Sequence, residues 1–152
     1  MSRESEMLKA RTMRFSIDVC RLLRDMPGFE PGPTAKRQLT RSATSVAINY
    51  RATCRARSHD EFTSKMGTVA EESDESQGWL EFIEAAELMK SAELSRLIAE
   101  STELSAIMSA SYGTAKHHQQ ERREREKKER RRSDANGDNP ITQSNKRNSP
   151  IQ

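Results

Sequence analysis

Residues 58–111 read SHDEFTSKMGTVAEESDESQGWLEFIEAAELMKSAELSRLIAESTELSAIMSAS. The opening Ser58-His59-Asp60-Glu61 fits a capping box, in which a serine hydroxyl and a Glu three residues on each take a free backbone N–H. A helix is predicted from there to about Met89. Phe62, Met66, Val69, Ser73, Ser76, Leu80, Ile83 and Glu87 recur at spacings of three and four, the pattern of one helix face. After a tight turn near Ser91 the pattern resumes as Leu94, Leu97, Ser101, Leu104, Met108 and Ser111, flanked by Ile98 and Ile107. Two long amphipathic helices on a short connection pack antiparallel. The serines in each stripe let a neighbouring helix come close, or thin the core.

Upstream, a first helix is predicted from about Glu4 to Met26, ended by Pro27-Gly28. Phe15, Val19, Leu22 and Met26 form one stripe and Met13, Ile17 and Cys20 a second, with Leu23 between them. The apolar sector is then roughly 220° wide, more than one bundle core requires, and implies two buried faces. Pro27 to Pro33 reads as a stiff, non-helical turn. Thr34 offers an N-cap for a second helix to about Arg57. Its core face is Leu39, Ala43, Val46, Ala47, Tyr50 and Cys54. Opposite lie Arg37, Arg41, Arg51 and Arg55, within about 80° of one another on a helical wheel, with Ile48 in their midst. An apolar side chain there marks Ile48, with Met13 and Ile17, as a candidate oligomer interface.

Downstream, from His117, amphipathicity stops. ERREREKKERRR, residues 121–132, is a mixed-charge run that prolongs the last helix on its own ion pairs. From Ser133 the chain is rich in Asn, Ser, Asp and Pro and is expected to be disordered. The predicted organisation is a four-helix bundle over 1–116, a charged helical extension over 117–132 and a disordered tail over 133–152. The fold class is all-α, an up-and-down antiparallel four-helix bundle.

Composition agrees. The chain has 152 residues, 33% hydrophobic and 5% aromatic, enough for one domain with a thin core of Ala, Leu, Met and Ile. No apolar run would span a bilayer and no apolar signal core follows the N-terminus, so the expected address is cytoplasmic. Cys20 and Cys54 read as reduced, part-buried residues. The net charge of +3 conceals an asymmetry: residues 1–57 carry 12 Lys/Arg against 5 Asp/Glu, and residues 58–116 carry 4 against 12. The two halves can pair with each other, within a subunit or between neighbours, or the basic face can meet phosphate.

Catalysis finds little support. His59 sits in a capping turn, while His117 and His118 begin the charged extension, and none suggests a converging pocket. No Gly-rich phosphate loop, paired-cysteine spacing or metal-binding histidine motif occurs. The expectation is a non-enzyme with no cofactor and no metal. Nucleic acid is the stronger candidate partner. Arg37, Arg41, Arg51 and Arg55, flanked by Lys36 and Arg57, could meet RNA or DNA phosphates along one stripe. Few aromatics are available to stack bases, so a salt-sensitive, backbone-tracking contact fits better than sequence readout. The charged run after residue 120 is a weak signal: its glutamates are set against its basic residues, and a solvated face is the better reading of it.

The stretch QLTRSATSVAINYRATCRARSHDEF, Gln38 to Phe62, resembles the bacterial four-helix-bundle proteins first noticed as reading frames inside intervening sequences of 23S ribosomal RNA genes. The matching positions are Gln38, Leu39, Arg41, Ser45, Val46, Asn49, Arg57, Ser58, Glu61 and Phe62. The resemblance extends over roughly residues 8 to 116. It departs where the family carries a Glu after that Asn and this chain has Ala52 and Thr53. The resemblance implies a ring-like homopentamer. A related branch implies an accessory role beside the reverse transcriptase of diversity-generating retroelements. The expected function is a non-catalytic, homo-oligomeric accessory protein contacting RNA or a nucleic-acid enzyme. The alternative is a purely structural or protein-binding oligomer.

Overall fold

In the computed structural model, which describes residues 2–135, four helices follow in order: α1 (Arg3–Leu22), α2 (Gly32–Thr53), α3 (His59–Ala85) and α4 (Ala92–Ala135). The described residues divide into two units, one up to Lys116 and one from His117 on. The first is an all-α four-helix bundle. Within it α2 lies between α1 and α3. The Arg11 guanidinium reaches Glu100 at 2.7 Å and Glu103 at 2.6 Å, and Arg96 reaches Asp18 at 2.9 Å. Rising numbers on α1 thus meet falling numbers on α4, so these helices run antiparallel. Gly67 of α3 packs against the Tyr112 ring of α4, closing the bundle.

Capping explains most boundaries. Ser2 accepts from the Ser5 N–H to start α1, and Ser91 accepts from the Leu94 N–H to start α4. At α3 the serine half of the capping box forms, the Glu61 N–H donating to Ser58 Oγ at 3.1 Å, while the Glu61 carboxylate accepts at 2.9 Å from the N–H of Arg57, one residue before the cap. That backbone contact, followed by Lys65, holds the Glu61 carboxyl below its ordinary range.

Four boundaries within the bundle differ from the sequence reading. α1 ends at Leu22, short of Met26, and Leu23–Asp25 tighten into a single 3-10 turn. α2 starts at Gly32, not after Thr34, and takes Pro33 into its first turn. Proline is tolerated there because the first-turn N–H groups have no partner within the helix. α2 also stops at Thr53, short of Arg57: Arg55 donates to the Ala52 carbonyl and Ala56 to that of Thr53, tightening the chain into a turn. α3 ends at Ala85, short of Met89. Glu87 there adopts φ 52° and Leu88 donates back to the Ile83 carbonyl at 3.1 Å, a left-handed helix stop of the kind glycine usually supplies.

The predicted stripes meet in one core. Phe15, Val19, Leu22, Leu23, Leu39, Val46, Met66, Val69, Leu80, Ile83, Leu94, Leu97, Leu104 and Met108 are all buried, and a fully buried side chain of this class contributes about 1.5–3 kcal/mol. Between them lie the buried hydroxyls of Thr12, Ser42, Thr53, Ser76 and Ser101, each donating to a carbonyl of its own helix. The second stripe of α1 is not buried within the chain: Ile17 is exposed, and Met13 and Cys20 are half-buried. Cys20 and Cys54 are free thiols. α4 remains helical to Ala135, so residues 133–135 of the expected disordered tail are helical, while the rest of that tail, 136–152, lies outside the described residues. Among the described residues no helix is long and apolar enough to cross a membrane.

Candidate nucleic-acid interface

α2 buries Ala35, Leu39, Ser42, Ala43, Val46, Ala47 and Tyr50, and the helical period turns its basic residues outward. Lys36, Arg37, Arg41, Arg51, Arg55 and Arg57 are all exposed. They do not form the uniform row read from the sequence. Arg55 and Arg57 lie beyond the last residue of α2, in the turn to α3.

Arg41 is already engaged. Its guanidinium donates to Glu72 at 3.0 Å and to Glu75 of α3. Glu75 also accepts from the Trp79 indole N–H at 3.3 Å. The Arg41 hydrogen bond, opposed by partial burial and aided by the indole, holds the Glu75 carboxyl below its ordinary range. Internal pairing of the basic and acidic halves is therefore present within one subunit at this position. Lys36, Arg37, Arg51 and Arg55 pair with no carboxylate among the described residues.

Met13, Ile17 and Ile48, the candidate interface residues, converge on one groove of about 420 Å³ between α1 and α2, which Cys20, Thr44 and Ala47 also line. Ile17 and Ile48 are 44% and 59% exposed. Arg21 and Arg24 stand on the same groove, so this apolar strip carries a basic rim.

A second apolar surface was not singled out from the sequence. Trp79 and Phe82 meet edge to face at 5.5 Å and, with Pro31, Thr34 and Gly78, line a shallow recess of about 430 Å³. Phe82 is 41% exposed. The signal was an aromatic pair at i and i+3 off the buried stripe of α3.

At the far end of α2, Tyr50, Cys54, His59 and Phe62 line a recess of about 550 Å³. Burial, reinforced by Cys54, pushes the Tyr50 phenol up to about 12. His59 Nδ1 lies 3.3 Å from the Thr63 hydroxyl. His117 and His118 are exposed, with His117 3.9 Å from Glu121. Among the described residues no group of three His, Cys, Asp or Glu is placed to hold a metal.

Residues 5–110 match the profile of the 23S rRNA-intervening sequence protein family. A crystal structure from Bacteroides thetaiotaomicron VPI-5482, of a protein with unknown function from the S23 ribosomal protein family, superposes with a TM-score of 0.64. It is 21% identical and covers 72% of this chain and 97% of its own, a likeness of fold. No curated protein matches the chain.

Proposed function

The chain belongs to the 23S rRNA-intervening sequence protein family, and from that premise we propose that it is a non-catalytic, homo-oligomeric accessory protein that grips an RNA backbone, alone or beside a nucleic-acid enzyme such as a reverse transcriptase. The observation that carries this reading is the exposed set Lys36, Arg37, Arg51 and Arg55, cations with no carboxylate partner among the described residues. Guanidinium groups fit phosphate oxygens bidentately. A contact of this kind positions the protein without reading sequence. The groove of Met13, Ile17 and Ile48 would serve self-association, since burying exposed isoleucines against a second copy removes apolar surface from water.

Fluorescence anisotropy of a labelled RNA at two salt concentrations tests this. Arg51→Gln with Arg55→Gln should weaken binding across unrelated sequences and flatten the dependence of log affinity on log salt by about 1.8, at about 0.9 per phosphate. The melting temperature should hold, because neither residue has an ion-pair partner to lose. Absence of RNA or DNA binding at low salt overturns the proposal. One observation favours a second reading, a module binding only protein: Arg41 already spends its charge on Glu72 and Glu75. In that case the double change leaves any RNA affinity untouched and weakens capture of the protein partner.

A further inference from the structure

Residues 117–135 lie beyond the family match, which ends at 110, yet they are helical and residues 121–135 are exposed throughout. Residues 121–132 carry eight Lys/Arg against four Glu, so four cations stay in excess however the glutamates pair. The glutamates sit where they support the helix: Glu121, Glu124 and Glu126 each lie four residues before a basic residue, the favourable order for side-chain pairs. The structure shows pairing directly between Arg122 and Glu126 at 3.7 Å.

The charges are not evenly spread. At about 100° per residue, Arg123, Lys127, Arg130 and Arg131 fall in one sector about 100° wide that contains none of the four glutamates. Arg122, Arg125, Lys128 and Arg132 share the remaining arc with all four. Asp134 closes the basic sector at its C-terminal end. Over roughly 12 Å of helix the sector presents four cations that pair with no carboxylate among the described residues.

We infer that this sector is a second RNA-binding surface, which grips phosphates through Arg123, Lys127, Arg130 and Arg131. The inference rests on the reading of the chain as an RNA-binding accessory. Residues 117–132 include no aliphatic or aromatic side chain other than histidine, whereas a stable protein interface keeps an apolar core. A partner held by charge alone, the phosphate backbone, is what such a sector fits. Because the helix is formed in advance, binding spends little on ordering the segment, unlike a disordered arginine-rich arm.

The test uses the full chain and a two-turn RNA hairpin in anisotropy titrations. Four contacts at about 0.9 each steepen the salt dependence by about 3.6, so between about 50 and about 200 mM salt the sector accounts for a loss on the order of a hundredfold. Changing Arg123, Lys127, Arg130 and Arg131 together to Gln should abolish that share. Changing Arg123, Arg130 and Arg131 to Lys, with Lys127 kept, should preserve it, whatever the Gln set does to helicity. Changing Arg122, Arg125, Lys128 and Arg132 to Gln removes equal charge from the other arc and should cost much less. Equal losses from both sets would show that net charge acts and no sector does, overturning the inference. Competition by poly-glutamate, charge for charge as effective as RNA, would overturn the choice of partner. If the sector variants bind like the parent while Arg51→Gln with Arg55→Gln weakens binding, the inference falls and the proposed function stands. If the parent binds no RNA, both fall.

Discussion

Three helical glycines allow one substitution, Gly to Ala, to be forecast with three different outcomes. At Gly32 a Cβ would stand 2.4 Å from the Pro27 carbonyl oxygen and 3.2 Å from its Cγ. Carbon and carbonyl oxygen meet comfortably at about 3.3 Å, so the turn must open by roughly 0.9 Å. The obstacle is backbone, not the end of a flexible side chain, and the Gly32 N–H also donates to the Phe29 carbonyl at 2.9 Å across that turn. Overpacking of this kind costs about 1–3 kcal/mol, offset by about 0.4–1 kcal/mol from a less flexible unfolded chain. The net loss is about 1–2 kcal/mol, a fall of about 2–8 °C in melting temperature for a chain of this size. At Gly78 nothing lies within 4 Å of the new Cβ, and Gly78→Ala should add about 0.5–1 kcal/mol. At Gly67 the new Cβ meets the Tyr112 ring at 3.1 Å. There the helical gain of about 1 kcal/mol is opposed by a half-buried ring, packed against the core, that must give by a few tenths of an ångström, and the sum should fall near zero. Urea and thermal unfolding followed by circular dichroism, at matched protein concentration, read all three. A Gly32→Ala protein that melts at or above the parent would refute the packing described for the α1–α2 turn.

Ile48→Glu should lower the mass seen by light scattering while each bundle stays helical; unchanged mass would return Ile48 to an ordinary surface, and unfolding would place it in a core. Tyr50 carries a pH prediction, because its phenol titrates near 12 when folded and near 10 when unfolded. Its share of stability is therefore complete below about pH 10 and is lost as pH rises toward 12, by an amount on the order of 2 kcal/mol. Tyr50→Phe should flatten that decline, and a melting series across the window that falls equally in both proteins would contradict the buried phenol.

The legible parts of this fold were those written in local spacing. The stripe Leu94, Leu97, Leu104 and Met108 is buried as spaced, and Ser58 caps the Glu61 N–H as its place announces, though the Glu61 carboxylate takes the Arg57 N–H instead of that of Ser58. What escaped was decided by partners far along the chain. Arg41 meets Glu72 and Glu75 only because α2 and α3 settle in a particular register, which neither helix carries alone. Met89 looked like the end of α3 because the apolar pattern continues past Ala85, whereas the stop comes from backbone geometry at Glu87. Trp79 and Phe82 escaped for a related reason: their recess is completed by Pro31 and Thr34 from the start of α2. For the arginines, sequence located the cations, and structure showed which of them are already engaged.

The buried hydroxyls of Thr12, Ser42, Thr53, Ser76 and Ser101 bond inward to their own helices, so they say nothing about which helix should lie beside which. Shape makes most of that choice, as where Gly67 lets the Tyr112 ring come close. The rim adds to it, where Arg11 meets Glu100 and Glu103, Arg96 meets Asp18, and Arg41 meets Glu72, though each part-exposed pair contributes little. That addition is written in ink that salt dissolves. Brine should therefore loosen the rim and leave the interior, and the alignment its shape dictates, in place.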